Sequence, residues 1–321
     1  MAPLIPEPPM SMPKDVPARG AVELSVMANS LEEGTMVGMQ AQREVDTLRD
    51  FAVATATAAA ALVREERARI ENADGLGAHT TTKSSAVDPV TEVDQASEAF
   101  IVSAIRETFP GDGILGEEGT DFPSTTGVTW VIDPIDGTVN FLYGARDYAV
   151  SIGAFSAGHL VAGAVVNVAQ GIVYAAAAGH GATVRHLGQE PRELRCNRVY
   201  DPALALVATG FSYDARRRRQ QGAVLAELLP QVRDIRRVGA AALDLCRVAE
   251  GSVDAYFEHG INAWDFAAGA VIAAEAGAVV HHPGLDKGAA DGEIIWVAAP
   301  DLAPAFEQLL ASIGALEPQR G

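Results

Sequence analysis

The run Trp130-Val131-Ile132-Asp133-Pro134-Ile135-Asp136-Gly137-Thr138 restricts the fold more than any other stretch of this chain. A β-branched apolar run reads as a buried strand, yet this one delivers two aspartates around Pro-Ile and then Gly-Thr. The residue before a proline is held extended, so Asp133 finishes the strand, and Asp-Pro favours the opening positions of a turn. A turn over residues 133–136 brings its first and fourth Cα atoms within about 7 Å, so both carboxylates lean onto one place. Two unneutralised carboxylates so placed repel each other, and a hard cation removes the conflict. Gly137 lets the backbone approach a ligand closely, and a short helix from Val139 to Tyr143 offers free N–H groups suited to an anion such as phosphate. Taken alone, the pattern is as readily a buried Asp-Pro turn capping a helix.

Partners for it exist elsewhere. Leu115-Gly116-Glu117-Glu118-Gly119 puts Glu117 and Glu118 at the end of a second short strand, and the stretch beginning Trp264-Asp265-Phe266 puts Asp265 at a helix start. Separately they read as an acidic surface turn and a simple helix cap. Together Glu117, Asp133, Asp136 and Asp265 form an all-oxygen donor set at element ends, without Cys or His, which suits Mg²⁺ rather than zinc. Two such ions hold a phosphoester and activate water for in-line displacement.

The bulk properties agree with a globular enzyme. At 321 residues and 48% apolar composition the chain can bury a sizeable core, in two domains or one large one. A net charge of −18, from 42 acidic and 24 basic residues, argues against a nucleic-acid partner. Cys196 and Cys246 have neither CxxC nor framework spacing, so a reducing cytoplasm is expected. The longest apolar stretch, Phe51 to Val63, falls short of the roughly 20 residues of a membrane span.

Residues 1–43 hold all six methionines and many prolines without periodicity, and are expected to be a disordered extension, with Met36 or Met39 as an additional translation start. Apolar positions Val45, Leu48, Ala52, Ala56, Ala59 and Val63 predict a long first helix closed by the charge run 64–71, then a loop or hairpin over 72–94. A second helix follows through Phe100, Ile101, Ala104, Ile105 and Phe109, stopped by Pro110-Gly111. Apolar segments punctuated by glycine between Tyr148 and Cys196 suit an antiparallel meander. After residue 200 strands and helices alternate as in an α/β domain. The expected domains are therefore 44–199, α+β, holding metal and phosphate, and 200–321, α/β, holding substrate.

Gly116-Glu117-Glu118, "WVIDPIDGTVNF", "VGAAALDLC" and "YFEHGINAWDFAAGA" resemble the inositol monophosphatase family of Mg²⁺-dependent, lithium-sensitive phosphatases, from about residue 45 to about 312. The resemblance implies a layered αβαβα sandwich of the sugar-phosphatase type, with an α+β first half and an α/β second half. It implies metal ligation by Glu117, Asp133, the Ile135 carbonyl, Asp136 and Asp265. It implies that Thr138 and Asp94 orient the attacking water, with Glu117 drawing off its proton, and that Gly137 and Thr138 donate backbone N–H groups to phosphate. Asp136, Gly239, Ala240, Ala241 and Glu258 resemble the wall that holds the sugar-alcohol hydroxyls, and Lys83 is placed near the metals. The expected substrate is myo-inositol 1-phosphate, and the expected assembly a homodimer. Relatives act on histidinol phosphate, fructose 1,6-bisphosphate or 3′-phosphoadenosine 5′-phosphate, and Asn262 stands where some members carry histidine, so these are the alternatives. A regulatory binding protein on the same fold is the rival from another class.

Three other features read as structural. His281-His282 is expected to be a strand-end surface pair, and Arg216 to Arg219 a solvated helix face. Arg236-Arg237 is undecided between a subunit contact and the substrate.

Overall fold

The computed structural model describes the backbone of residues 35–73, 80–82 and 89–321, with side chains over 45–69 and 92–321. Lys83 and residues 1–34 lie outside the described residues. Helix α1 runs Thr35–Ala73 and so begins ahead of the expected Val45. Strands β1 (Thr80–Thr82) and β2 (Pro89–Thr91) pair antiparallel, and α2 spans Glu92–Thr108.

The first sheet has eight strands. They are β3 (Gly113–Gly116), β4 (Asp121–Phe122), β5 (Val128–Asp136), β6 (Ala149–Ser156), β7 (His159–Asn167), β8 (Ile172–Ala177), β9 (Ala182–His186) and β10 (Arg192–Glu193), with α3 (Thr138–Tyr143) after β5. Their order is β10-β9-β8-β7-β6-β5-β3-β4, a meander from β5 to β10 with β3 parallel to β5. The second sheet, ordered β12-β11-β13-β15-β14, is built from β11 (Leu206–Thr209), β12 (Asp234–Arg236), β13 (Ala255–His259), β14 (Val279–His281) and β15 (Ile294–Ala298). The later helices are α4 (Ala215–Leu228), α5 (Ala241–Glu250), α6 (Ala263–Glu275) and α7 (Ala303–Ser312). Helix α7 is an element that the sequence reading did not assign.

The period of two along β5 separates two cores. Trp130 and Ile132 face α1 and α2, packing with Ala56, Ala59, Ile101 and Ile105, whereas Val131 faces α5 and α6 with Leu245 and Phe266. The inner core also takes Tyr256, Ile295 and Val297 from the second sheet, while Phe257 and Trp296 point outward to Leu228 on α4 and Phe306 on α7. Five layers result, helix pair, sheet, helix pair, sheet, helix pair, which is the αβαβα sandwich expected. Helix α6 lies unusually close to the first sheet. A Cβ on Gly163 of β7 would sit 2.8 Å from Ala268 Cα, so only glycine admits this approach. That approach carries Asp265, at the start of α6, toward the end of β5.

Candidate active site

The expected turn at residues 133–136 is instead a β-bulge inside β5. Asp133 stands opposite Ser151 and Asp136 opposite Ala149, so β5 spends one more residue than β6 across the interval. Pro134 lacks a ladder donor and falls within the irregularity, with its carbonyl accepting from Ser97 Oγ at 3.2 Å. The bulge turns Asp133 and Asp136 toward one cavity. Gly137 follows at φ 87°, where a Cβ would meet Asp147 O at 3.0 Å and Ala240 Cβ at 3.1 Å. Thr138 Oγ1 donates to Ile135 O at 3.1 Å.

Three carboxylates converge there. Oxygens of Asp133, Asp136 and Asp265 lie within 4.8 Å of one another. Glu117 lies outside that close group but lines the same cavity of about 340 Å³, as do Ile135, Gly137, Thr138, Gly239, Ala240, Ala241, Glu258 and Asn262. Glu117 reaches it because its N–H bonds Ile132 O at 3.3 Å, prolonging the β3–β5 pairing. Asp94 is 1% exposed and does not line the cavity, but its charge is among those felt by Asp133. Asp265 is not the N-cap, which is Asn262, but the third residue of α6, and it closes a capping box by accepting from the Asn262 N–H at 2.6 Å.

Electrostatics at this point oppose ionisation. Burial, then the charges of Glu117, Asp136, Asp265 and Asp94, push the Asp133 carboxyl well above the ordinary range. Burial raises Asp136 to about 7, against the N–H groups of Ala242 at 2.8 Å and Ala241 at 3.2 Å, which open α5 and hold its charged form. Asp265 is raised by burial and by Glu117 and Asp136. Burial likewise lifts Glu258 to about 7, although Tyr256 Oη–H donates to its Oε2 at 2.8 Å and Arg237 favours its charge. One oxygen of Asp133 is buried without a hydrogen-bond partner among the described residues. An unpaired oxygen in a cage of like charges, with only oxygen donors around it, fits a hard divalent cation.

The sequence reading did not find several lining residues: Phe211, Tyr213, Arg217 and Ile261. Arg237 also lines the cavity, whereas Arg236 pairs with Asp234 at 2.7 Å. The solvated-face reading of residues 216–219 holds for three of the four; Arg217 is 5% exposed. Its one local signal is Asp214, which caps α4 by accepting from the N–H groups of Arg216 and Arg217 at 2.9 and 2.8 Å. The histidine pair is partly buried rather than a surface pair: His281 stacks on Trp296 and His282 packs tilted against Phe266, with ring centroids 5.8 and 5.3 Å apart.

Comparison with known proteins agrees with this geometry. The inositol monophosphatase family profile matches residues 44–312. Inositol-1-monophosphatase SuhB of Mycobacterium tuberculosis is 49% identical over 283 residues, covering 84% of this chain and 96% of that protein. The solved structure of Mycobacterium tuberculosis SuhB superposes with a TM-score of 0.71 at 44% identity, over 85% of this chain and 98% of the other. A protein named Nus factor SuhB, from Pasteurella multocida, is 40% identical over 62% of this chain and 74% of its own length. The chain belongs to the inositol monophosphatase family.

Proposed function

We propose that this protein is a Mg²⁺-dependent phosphomonoesterase that hydrolyses myo-inositol 1-phosphate or a close relative of it. The observation that carries the reading is the convergence of Asp133, Asp136 and Asp265 within 4.8 Å, with a buried Asp133 oxygen lacking a hydrogen-bond partner among the described residues. Asp133, Asp136, Asp265, Glu117 and the Ile135 carbonyl would hold the metal. Bound there, Mg²⁺ supplies Lewis-acid neutralisation of the phosphoryl oxygens and acidifies water.

The chain's own groups do the rest. Thr138 spends its hydroxyl proton on Ile135 O, which leaves its oxygen lone pairs free to accept from a water. Asp94 is assigned with Thr138 to orient that water and Glu117 to draw off its proton, and the backbone N–H groups of Gly137 and Thr138 to hold the phosphate. Ionised Glu258 accepts from hydroxyls of the alcohol, against the wall of Gly239, Ala240 and Ala241. A cavity of about 340 Å³ suits a sugar-sized ligand. Lithium sensitivity, a homodimer and a cytoplasmic location belong to the same proposal; among the described residues no helix is long and apolar enough to cross a membrane.

The alternative is a regulatory binding protein, and three relatives carry the words Nus factor SuhB in their names. The carboxylate cluster and the net charge of −18 favour catalysis over RNA binding. Phosphate release should require Mg²⁺ and fall by roughly a thousandfold or more in Asp133→Asn. Undiminished turnover in that variant, or without a divalent cation, overturns the proposal. Values of kcat/KM across inositol, histidinol, fructose and nucleotide phosphates identify the substrate.

A further inference from the structure

The wall of the cavity opposite the carboxylates is braced by chain that lies beyond the family match, which ends at residue 312. His259, 2% exposed, donates Nε2–H to Ala315 O at 2.6 Å. Arg217 on α4 donates Nε–H to Gln319 O at 2.8 Å and reaches Gly260 O at 3.4 Å through Nη1. Gln319, 6% exposed, gives its own N–H to Gly292 O at 2.7 Å. The tight turn 289–291 that leads to Gly292 returns to the site, because Ala289 N–H bonds Asn262 Oδ1 at 2.8 Å. Residues 259–262 are thus gripped by the tail directly at His259, by Arg217, itself tied to the tail, at Gly260, and by the 289–292 turn at Asn262. Those residues join Glu258, which faces the alcohol side of the cavity, to Asp265, which is fixed by the Asn262 N–H.

A guanidinium is a costly choice for a position 5% exposed. Its burial lowers the tendency to hold charge, opposed by Asp214, and an apolar side chain of similar volume packs without that cost. What the guanidinium adds is a rigid fork able to join two backbone carbonyls from segments remote in sequence. We infer that Arg217, clamped by the Gln319 carbonyl, is a positioning residue that sets how the 259–262 loop presents Glu258 and Asn262 to the alcohol half of the substrate. The inference rests on the phosphatase reading for its substrate and on geometry alone for the clamp.

Four variants test it: Arg217→Met, a chain ending at Pro318, the two combined, and Arg217→Lys, which keeps the charge but replaces the planar fork by a single nitrogen. KM for myo-inositol 1-phosphate should rise roughly tenfold in each of the first two, with kcat falling less than about threefold, as expected for lost positioning. KM for p-nitrophenyl phosphate, which has no hydroxyls to read, should move less than about twofold. The combined variant should be no worse than either single one, and Arg217→Lys should lie between wild type and Arg217→Met. Hydrogen exchange of peptides covering 258–265, without Mg²⁺ or substrate, should quicken in the first three variants. Additive effects on KM, or a chain ending at Pro318 with wild-type KM and wild-type exchange, overturn the clamp. If the wild type hydrolyses neither ester, the phosphatase reading fails while exchange still decides the clamp, and unchanged protection in both single variants rejects it.

Discussion

Glu98 and Asp254 are buried about as deeply as Asp133 on β5, and their surroundings are the reverse. Glu98, 4% exposed on α2, accepts from Glu118 N–H at 2.8 Å, Thr120 N–H at 3.3 Å and Thr120 Oγ1 at 2.6 Å. Asp254, 6% exposed, accepts from Asn197 Nδ2 at 2.8 Å and Leu206 N–H at 2.7 Å. Protein donors already satisfy these two charges, which therefore staple loops to strands. Asp133, 1% exposed, has like charges for neighbours and an oxygen lacking any such donor among the described residues. Burial does not separate these carboxylates, and neither does donor count alone, since Asp136 accepts from two N–H groups as Asp254 does; the like charges of Glu117 and Glu258 around Asp136 do.

That contrast breaks first on stability. Asp254→Ala strands the Leu206 N–H and the Asn197 amide, and should cost about 2–4 kcal/mol in thermal or urea unfolding. Asp133→Asn removes a charge that the fold resists, and should stabilise the metal-free protein by roughly 1–2 kcal/mol while abolishing turnover. If both substitutions destabilise alike, the distinction between the two kinds of site is void.

The second prediction concerns pH and metal. Asp136 titrates at about 7 in the fold, against about 3.9 in an unfolded chain. Between those values the folded state holds more protons than the unfolded one, so this contribution is full below about 4 and is lost as pH rises toward 7. Asp133 and Asp265 shift in the same direction. The stability gain of metal-free Asp133→Asn over wild type should therefore widen from pH 5 to pH 8, since asparagine does not titrate. Mg²⁺ at a hundredfold excess over its Kd should return about 2.7 kcal/mol to the wild type and markedly less to the variant. A gain that narrows with pH rejects the origin assigned to these shifts.

What was legible in the sequence divides by range. Periodicity located α1, α2, the meander and the alternating second half because each is a local property of the chain. Half of the carboxylate set was legible locally, because Glu117 and Asp136 sit at strand ends beside glycine, whereas Asp133 and Asp265 were legible through the motifs that resemble a known family. The bulge was read as a turn because a bulge is defined by its partner strand, here the offset of Asp133 and Asp136 against Ser151 and Ala149 on β6. Nor does local pattern disclose that α5 donates to Asp136 from residues 241 and 242. Arg217 was read as solvated with its neighbours, since its acceptor on Gln319 lies 102 residues away.

The smallest expected effect tests an intermediate case. Glu258 is buried and raised to about 7, yet it has one donor, the Tyr256 hydroxyl at 2.8 Å, and the Arg237 charge acts on it as well. It thus stands between the satisfied carboxylates and Asp133: one oxygen is tied and the other is left for a ligand. Only the ionised form accepts from a hydroxyl through both oxygens, so KM for a sugar-alcohol phosphate should fall as pH rises through about 7. Tyr256 O–H favours the ionised carboxylate, so Tyr256→Phe should move that midpoint upward, by less than about one pH unit, and cost about 1 kcal/mol of stability. KM for p-nitrophenyl phosphate should keep its pH profile in the same variant. A midpoint that moves downward would mean that the tyrosine holds Glu258 protonated, and would place this residue with the carboxylates that the fold keeps neutral.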